Sequence, residues 1–201
     1  MKIFAVAGAY DAAPSVDVAL PLCDNPVWYE IPDSSISRSG NPFFVPDTGS
    51  DYVAFPSVAY RICKLGKSVA TRFASRYYDA ATLGFSVVAV DILRQLRAAG
   101  LPWARAVAFD RSCLLGNFMP ISAFTDLEEF HITCGDTSTS YRCNDVSLGI
   151  DAAISLISAD NTIKTGDIIL PALSPAGLPL KIGDRFTVTA NDSTIFDINV
   201  K

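Results

Sequence analysis

FSVVAVDILRQLRAAG, residues 85–100, decides the fold class. Its first half, Phe85 to Val90, is continuous and rich in β-branched residues, with Ser86 its one polar member, as befits a strand buried on both faces. Its second half, Ile92 to Ala99, repeats apolar residues at helical spacing, and Gly100 stands where a helix C-cap belongs. Strand patterns on both sides of this strand-to-helix unit indicate an α+β domain rich in mixed sheet.

On the N-terminal side, Ile3 to Ala7, Val27 to Ile31 and Phe43 to Val45 read as strands separated by Pro, Gly, Ser and Asp clusters that signal turns. Val58 to Cys63 is a further apolar run, closed by Leu65-Gly66-Lys67, and Ala70 to Tyr78 carries good helix formers. On the C-terminal side, extended patterning resumes through Val107 to Phe109 and from Phe130 to Cys134, which ends in a Gly135-Asp136 turn. A helix is expected over Leu148 to Ser158, then strands at Ile168 to Leu170, Phe186 to Ala190 and Thr194 to Val200, the last two joined at Asn191-Asp192. No repeat or linker interrupts the pattern, so residues 1–201 are expected to form one domain.

A chain of 201 residues can bury about 70% of its unfolded surface and needs no staples. The five cysteines, Cys23, Cys63, Cys113, Cys134 and Cys143, are odd in number with no C-x-x-C spacing, which indicates reduced thiols rather than a disulfide framework or a zinc site. The N-terminal MKIFAVAGAYDAA reaches Asp11 too soon for a signal sequence or a membrane span, and the cytosol is the expected compartment. A net charge of -5 without a basic run argues against a nucleic-acid partner. His131 is the only histidine, which excludes a His-pair metal site, and its strand-like setting suits a structural role. Neither Cys63 nor Cys113 has a neighbouring histidine or an evident base to activate it as a nucleophile.

Several short strings, taken in order, resemble the fumarylacetoacetate hydrolase family, in its short single-domain bacterial form. They are Asn41-Pro42-Phe43-Phe44-Val45-Pro46-Asp47, Leu65-Gly66-Lys67, Gly100-Leu101-Pro102-Trp103, Ala108-Phe109-Asp110, Leu115-Gly116, Thr165-Gly166-Asp167-Ile168-Ile169, Pro175-Ala176-Gly177 and Lys181-Ile182-Gly183-Asp184-Arg185. The resemblance runs from Met1 to Val200 and implies a mixed β-roll or sandwich flanked by short helices, dimeric assembly, and chemistry on small oxo-acids with one Mg²⁺ or Mn²⁺.

It also implies where the chemistry should stand, and the chain departs from the pattern there. The family's metal-binding Glu-x-Glu pair falls on Phe55 and Ser57, and its metal-binding Asp on Ser86. The Arg and Gln near the substrate fall on Val90 and Leu93, and a Lys falls on Val107. The family's R-N-Y-x-x-H string falls on Gly8 to Ala13, where only Tyr10 matches. No shift of register restores the glutamates, because Glu30, Glu128 and Glu129 are the only ones in the chain. Between Tyr52 and Leu127 the acids are Asp79, Asp91, Asp110 and Asp126, no two of them spaced i, i+2. Asp91 suits a cap for the helix opening at Ile92, and Ser174, beside Pro175-Ala176-Gly177, is a candidate hydrogen-bond donor to a ligand.

Carboxylate, guanidinium and ammonium groups have thus given way together to Phe, Ser, Val and Leu. Such a change is coherent, since a Lys or Arg left without its partner is a buried charge costing several kcal/mol. No catalytic residue, metal ligand or cofactor is therefore assigned, and Phe55, Ser57, Ser86, Val90, Leu93, Val107 and Ser174 are the expected lining of an altered pocket. The expectation is a noncatalytic family member that binds a small molecule or partners an active paralogue, forming a homodimer, with no membrane partner. The alternatives are a metal-dependent hydrolase, decarboxylase or isomerase of oxo-acids with a relocated site, and a structural relic without a ligand.

Overall fold

The computed structural model describes residues 1–7, 26–191 and 193–201. Strands β1 (Lys2–Ala7), β2 (Val27–Pro32), β3 (Ile36–Arg38) and β4 (Tyr52–Ile62) precede a single helical turn, α1 (Thr71–Ala74). The long strand β5 (Tyr78–Ala89) runs straight into α2 (Val90–Ala98), then α3 (Ala104–Val107), β6 (Cys113–Leu115), β7 (Met119–Pro120) and α4 (Ile121–Phe124). The hairpin β8 (Glu129–Cys134) and β9 (Thr137–Arg142) leads to α5 (Ile150–Asp160), β10 (Ile168–Leu170) and β11 (Leu178–Pro179), and the chain ends with β12 (Arg185–Ala190) and β13 (Ser193–Asn199).

Among the described residues these strands form two sheets. The larger has the order β2-β1-β10-β4-β5-β6-β3, with β11 added to β4 and β7 to β5. It is mixed, since β1 with β10 and β3 with β6 run parallel while the other pairs are antiparallel. The smaller sheet, β13-β12-β8-β9, is antiparallel throughout. Phe85 of β5 joins the two, its ring 4.9 Å from that of Phe186 and edge-on to it, while Phe186 meets Phe196 at 5.8 Å. All three rings are buried, and edge-to-face pairs of this kind add to the area they remove from water.

The spine is the antiparallel pair of β4 and β5, which runs from Tyr52 opposite Ala89 to Ile62 opposite Tyr78. Both strands are buried over most of their length, as the β-branched run from Phe85 requires. Gly100 ends α2 with φ +66°, its N–H bonding to Arg97 O and that of Leu101 to Leu96 O. A left-handed residue at this point satisfies the last carbonyls of the helix.

Four local expectations give way. The helix expected over Ala70 to Tyr78 shrinks to α1, because Tyr77 and Tyr78 are drawn into the sheet: Cys63 N–H bonds to Tyr77 O at 2.8 Å and Tyr78 pairs with Ile62. Aromatic residues beside an available strand take the sheet over the helix. Val107 to Phe109 is not extended, since Val107 closes α3 and Ala108 N–H bonds back to Ala104 O. Phe43 to Val45 makes only a bridge between Phe43 and Val200, flanked by Pro42 and Pro46, which cannot donate to a ladder. Asp91 is not the cap of α2, whose N-cap is Ala89. Its carboxylate accepts from Ser50 N–H at 2.9 Å, Ser50 Oγ at 3.0 Å and Ile92 N–H at 2.9 Å, tying the loop before β4 to the helix. Burial works against that charge, yet these hydrogen bonds hold the carboxyl below its ordinary range.

Candidate functional site

Strand register places the first three site positions. Phe55 lies opposite Ser86 and Ser57 opposite Gly84, so alternation sets Phe55, Ser57 and Ser86 on one face of the sheet. The row continues outward, Ser86 pairing with Cys113 and Cys113 with Ile36. Phe55, Ser57, Ser86 and Cys113 are all fully buried.

On the other side of Phe55 lies Gly177, just ahead of β11. A Cβ built there would fall 2.7 Å from Phe55 Cε1 and would also collide with Val53 Cγ1. The absent side chain is thus the room into which the phenyl ring leans. Ser174 begins the same loop: its N–H bonds to Pro56 O at 2.8 Å, and its Oγ accepts from Ala176 N–H at 3.2 Å. Its hydroxyl therefore shapes the loop that covers Phe55.

The chain satisfies the polar atoms of this face internally. Ser57 Oγ donates to Val58 O at 3.0 Å and accepts from Ala172 N–H at 3.3 Å. Ser86 Oγ shares a hydrogen bond of 2.8 Å with the hydroxyl of Tyr29. Tyr29 belongs to β2, four strand spacings from β5, or about 19 Å across a flat sheet. A bond between them requires the sheet to curl until β2 faces β5, so this contact closes the roll. Burial pushes the Tyr29 hydroxyl above its ordinary value of 10.0, against the opposing effect of the Ser86 bond, and burial lifts the Cys113 thiol to about 12. Both groups are neutral at physiological pH.

The remaining positions flank this core. Val107, from α3, lines a depression of about 330 Å³ with Tyr29, Glu30, Pro102, Trp103 and Ala104, and so approaches Ser86 through Tyr29. Val90 is buried at the start of α2 and lines a separate cavity of about 290 Å³ beside Val53, Leu180 and Arg94. Leu93 is buried one turn further along α2. Gly8 to Ala13 lies outside the described residues. His131 is exposed on β8, within a shallow polar depression with Asp126, Glu128 and Glu129.

Tyr29 was not singled out from the sequence. Alternation along Val27, Tyr29 and Ile31 places it on one face of a strand, but nothing local reports the curl that brings that face to Ser86.

The residues at the positions assigned to Mg²⁺ or Mn²⁺ do not fit such an ion. A hard divalent cation needs several oxygen ligands, carboxylates foremost. Here Phe55 offers a ring, and the hydroxyls of Ser57 and Ser86 are engaged within the fold. Among the described residues no group of three His, Cys, Asp or Glu side chains is arranged to hold a metal.

Two outcomes follow from this packing. Gly177→Ala should cost about 1–3 kcal/mol by overpacking, and Phe55→Leu in the same chain should return part of that loss, read as a coupling between the two urea midpoints; additive effects would mean that the ring does not need the glycine. The second outcome concerns alkali. A thiol whose folded pKa is raised favours folding fully below its ordinary value of 9.0 and loses that contribution as pH climbs toward about 12. Stability should therefore fall from pH 9 upward, less steeply in Cys113→Ala, and an identical slope in that variant would contradict the burial of this thiol.

The family model for the fumarylacetoacetate (FAA) hydrolase C-terminal matches residues 2–195. Oxaloacetate tautomerase YcgM of Escherichia coli (strain K12) is 33% identical over 103 residues, a stretch spanning 49% of this chain and 47% of that protein. The mitochondrial oxaloacetate tautomerase FAHD1 of Arabidopsis thaliana is 25% identical over 203 residues, 98% of this chain and 90% of that protein. A fumarylacetoacetate hydrolase family protein from Yersinia pestis CO92 superposes with a TM-score of 0.89 at 21% identity, covering 100% of this chain and 93% of that one. Fumarylpyruvate hydrolase from Pseudomonas aeruginosa, in complex with Mn²⁺ and pyruvate, gives 0.88 at 16% identity, covering 100% and 89%. With a family model spanning nearly the whole sequence and the same α+β architecture in solved relatives, the chain belongs to the fumarylacetoacetate hydrolase family.

Proposed function

We propose that this chain is a noncatalytic member of its family, acting as a binding module for a small apolar or weakly polar molecule or as a partner subunit to an active paralogue. The observation that carries this is the row of Phe55 and Ser86, with Ser57 beside it: a phenyl ring and two engaged hydroxyls stand where the resemblance sets the metal ligands, and the protonated thiol of Cys113 is next in the row. Such a face is fully buried and excludes water. It offers no group to polarise an oxo-acid or stabilise the charge that develops during enolisation or C–C cleavage. Val90, Leu93 and Val107 stand at the positions of the substrate-facing cations and amide, and each is buried and apolar.

A second reading, an oxo-acid tautomerase or hydrolase with a relocated site, draws on the names of the relatives and on the fold. Fold alone is a weak guide to chemistry. The cytosol remains the proposed compartment, consistent with the free thiols of Cys63, Cys113, Cys134 and Cys143. Among the described residues no helix is long and apolar enough to cross a membrane.

Reversal tests the proposal. The triple variant Phe55→Glu, Ser57→Glu, Ser86→Asp brings three carboxylates to one face, and should melt below the parent without metal because like charges crowd a buried space. Mn²⁺ should restore part of that loss in proportion to its concentration while leaving the parent unmoved. An equal Mn²⁺ response in both proteins, or Mn²⁺-dependent turnover of oxaloacetate by the parent, would overturn the proposal. The assembly we propose is a homodimer, and light scattering at micromolar concentration should give twice the 21.5 kDa chain mass; a monomer would refute it.

A further inference from the structure

We infer that the surface formed by Lys64, Leu65, Arg72, Phe73, Arg76 and Tyr77 is a docking site for a short acidic segment, carrying an aromatic or aliphatic residue, of a partner protein. The inference does not depend on whether the chain turns over a substrate.

Charge is its first support. Lys64, Lys67, Arg72 and Arg76 fall within residues 64–78, a span that contains no Asp or Glu. With these four set aside, the net charge of -5 becomes -9 for the remainder of the chain. No basic run announces the patch, because the cations are spaced along the sequence and only the fold assembles them. The bond from Cys63 N–H to Tyr77 O draws the two ends of the segment together, and Lys64 Nζ lies 5.3 Å from the centre of the Tyr77 ring. The guanidiniums of Arg72 and Arg76 both lie over Phe73, at 4.8 and 5.4 Å.

Pairing is the second. Arg61, next door, is neutralised by Asp79 at 2.9 Å. Among the described residues Lys64, Arg72 and Arg76 take part in no salt bridge, although the chain has 21 carboxylate side chains. Lys67 is spoken for, donating to Ala159 O at the end of α5. Exposed apolar surface is the third: Phe73, under the two guanidiniums, is 42% exposed, and Leu65, next to Lys64 in the chain, is 64% exposed. An exposed aromatic flanked by two arginines has the composition of an interface centre. Guanidinium forks take carboxylates bidentately, and the exposed face of Phe73 accepts an apolar side chain beside them.

The same charges select among occupants. A long nucleic acid or an anionic bilayer would run past the patch onto a chain of net charge -9, whereas a short acidic segment ends where the cations end. Two copies of this chain joined face to face at the patch would set cation against cation.

The test uses the full chain and a fluorescent peptide of Glu and Asp residues around one Phe, followed by anisotropy at 0.15 M salt. Saturable binding is expected, weakened by added salt and weakened roughly tenfold or more by Arg72→Gln with Arg76→Gln. Phe73→Ser should also weaken it, while Arg105→Gln, on α3, should not. To separate lost contact from lost folding, the variant Arg72→Glu with Arg76→Glu should gain affinity for the matching Lys and Phe peptide. The inference is overturned by absence of saturable binding, by binding indifferent to the Arg72 and Arg76 changes, or by tighter binding of a single-stranded oligonucleotide or of phosphatidylserine vesicles at the same salt. Self-association abolished by the double Gln variant would overturn it equally.

Discussion

The structure of the site depends on one register, that of β4 against β5, which sets Phe55 opposite Ser86. A slip of β4 by one residue against β5 would turn Phe55 and Ser57 to the other face and bring Ala54 and Pro56 beside Ser86 in their place. The register is held from both sides. Phe85 faces away from Ser86 and locks against Phe186 in the second sheet, and Ser86 is held by Tyr29 across the curl of the first. One face of β5 thus fastens the two sheets together while the other closes the roll.

Neutrality follows from that closure. A metal centre tolerates buried acids because the cation balances them; remove the ion and the acids repel, and the cations placed for a substrate lose their partners. Phenyl, hydroxyl and thiol groups carry no such liability, and here each hydroxyl finds a partner within the chain: Ser57 with Val58 and Ala172, Ser86 with Tyr29. The Gly177 loop completes the arrangement by leaving room for a ring. Phe55, Ser57, Ser86, Tyr29 and Gly177 are therefore best understood as one packing unit, in which the three departures from the family pattern share their partners.

Much of the framework could be read from the sequence, and what could not be read shares a cause. The apolar run into α2 with its Gly100 cap, the strand of β1, the β12–β13 hairpin and the helix α5 are local signals, and local signals survive folding. The helix expected over Ala70 to Tyr78 fails because Tyr77 and Tyr78 answer to a distant strand. Strand β9, Thr-Ser-Thr-Ser-Tyr-Arg, carries only Tyr141 inward and shows too little apolar alternation to be seen alone. Of the site, the departures at Phe55, Ser57 and Ser86 were visible because family order fixed their places. Tyr29 was invisible because its role exists only across the curled sheet, and the cationic surface around Phe73 because its members are scattered along residues 64–76.

The most direct test of the central claim, that Phe55 and the engaged hydroxyls of Ser57 and Ser86 have taken the place of a metal centre, is a titration of chelator-treated protein with Mn²⁺. Free Mn²⁺ would be followed by its electron paramagnetic resonance signal. The signal should rise with added Mn²⁺ as it does in buffer, from the first addition onward. Loss of the signal up to one equivalent per chain, with recovery on adding chelator, would contradict the account.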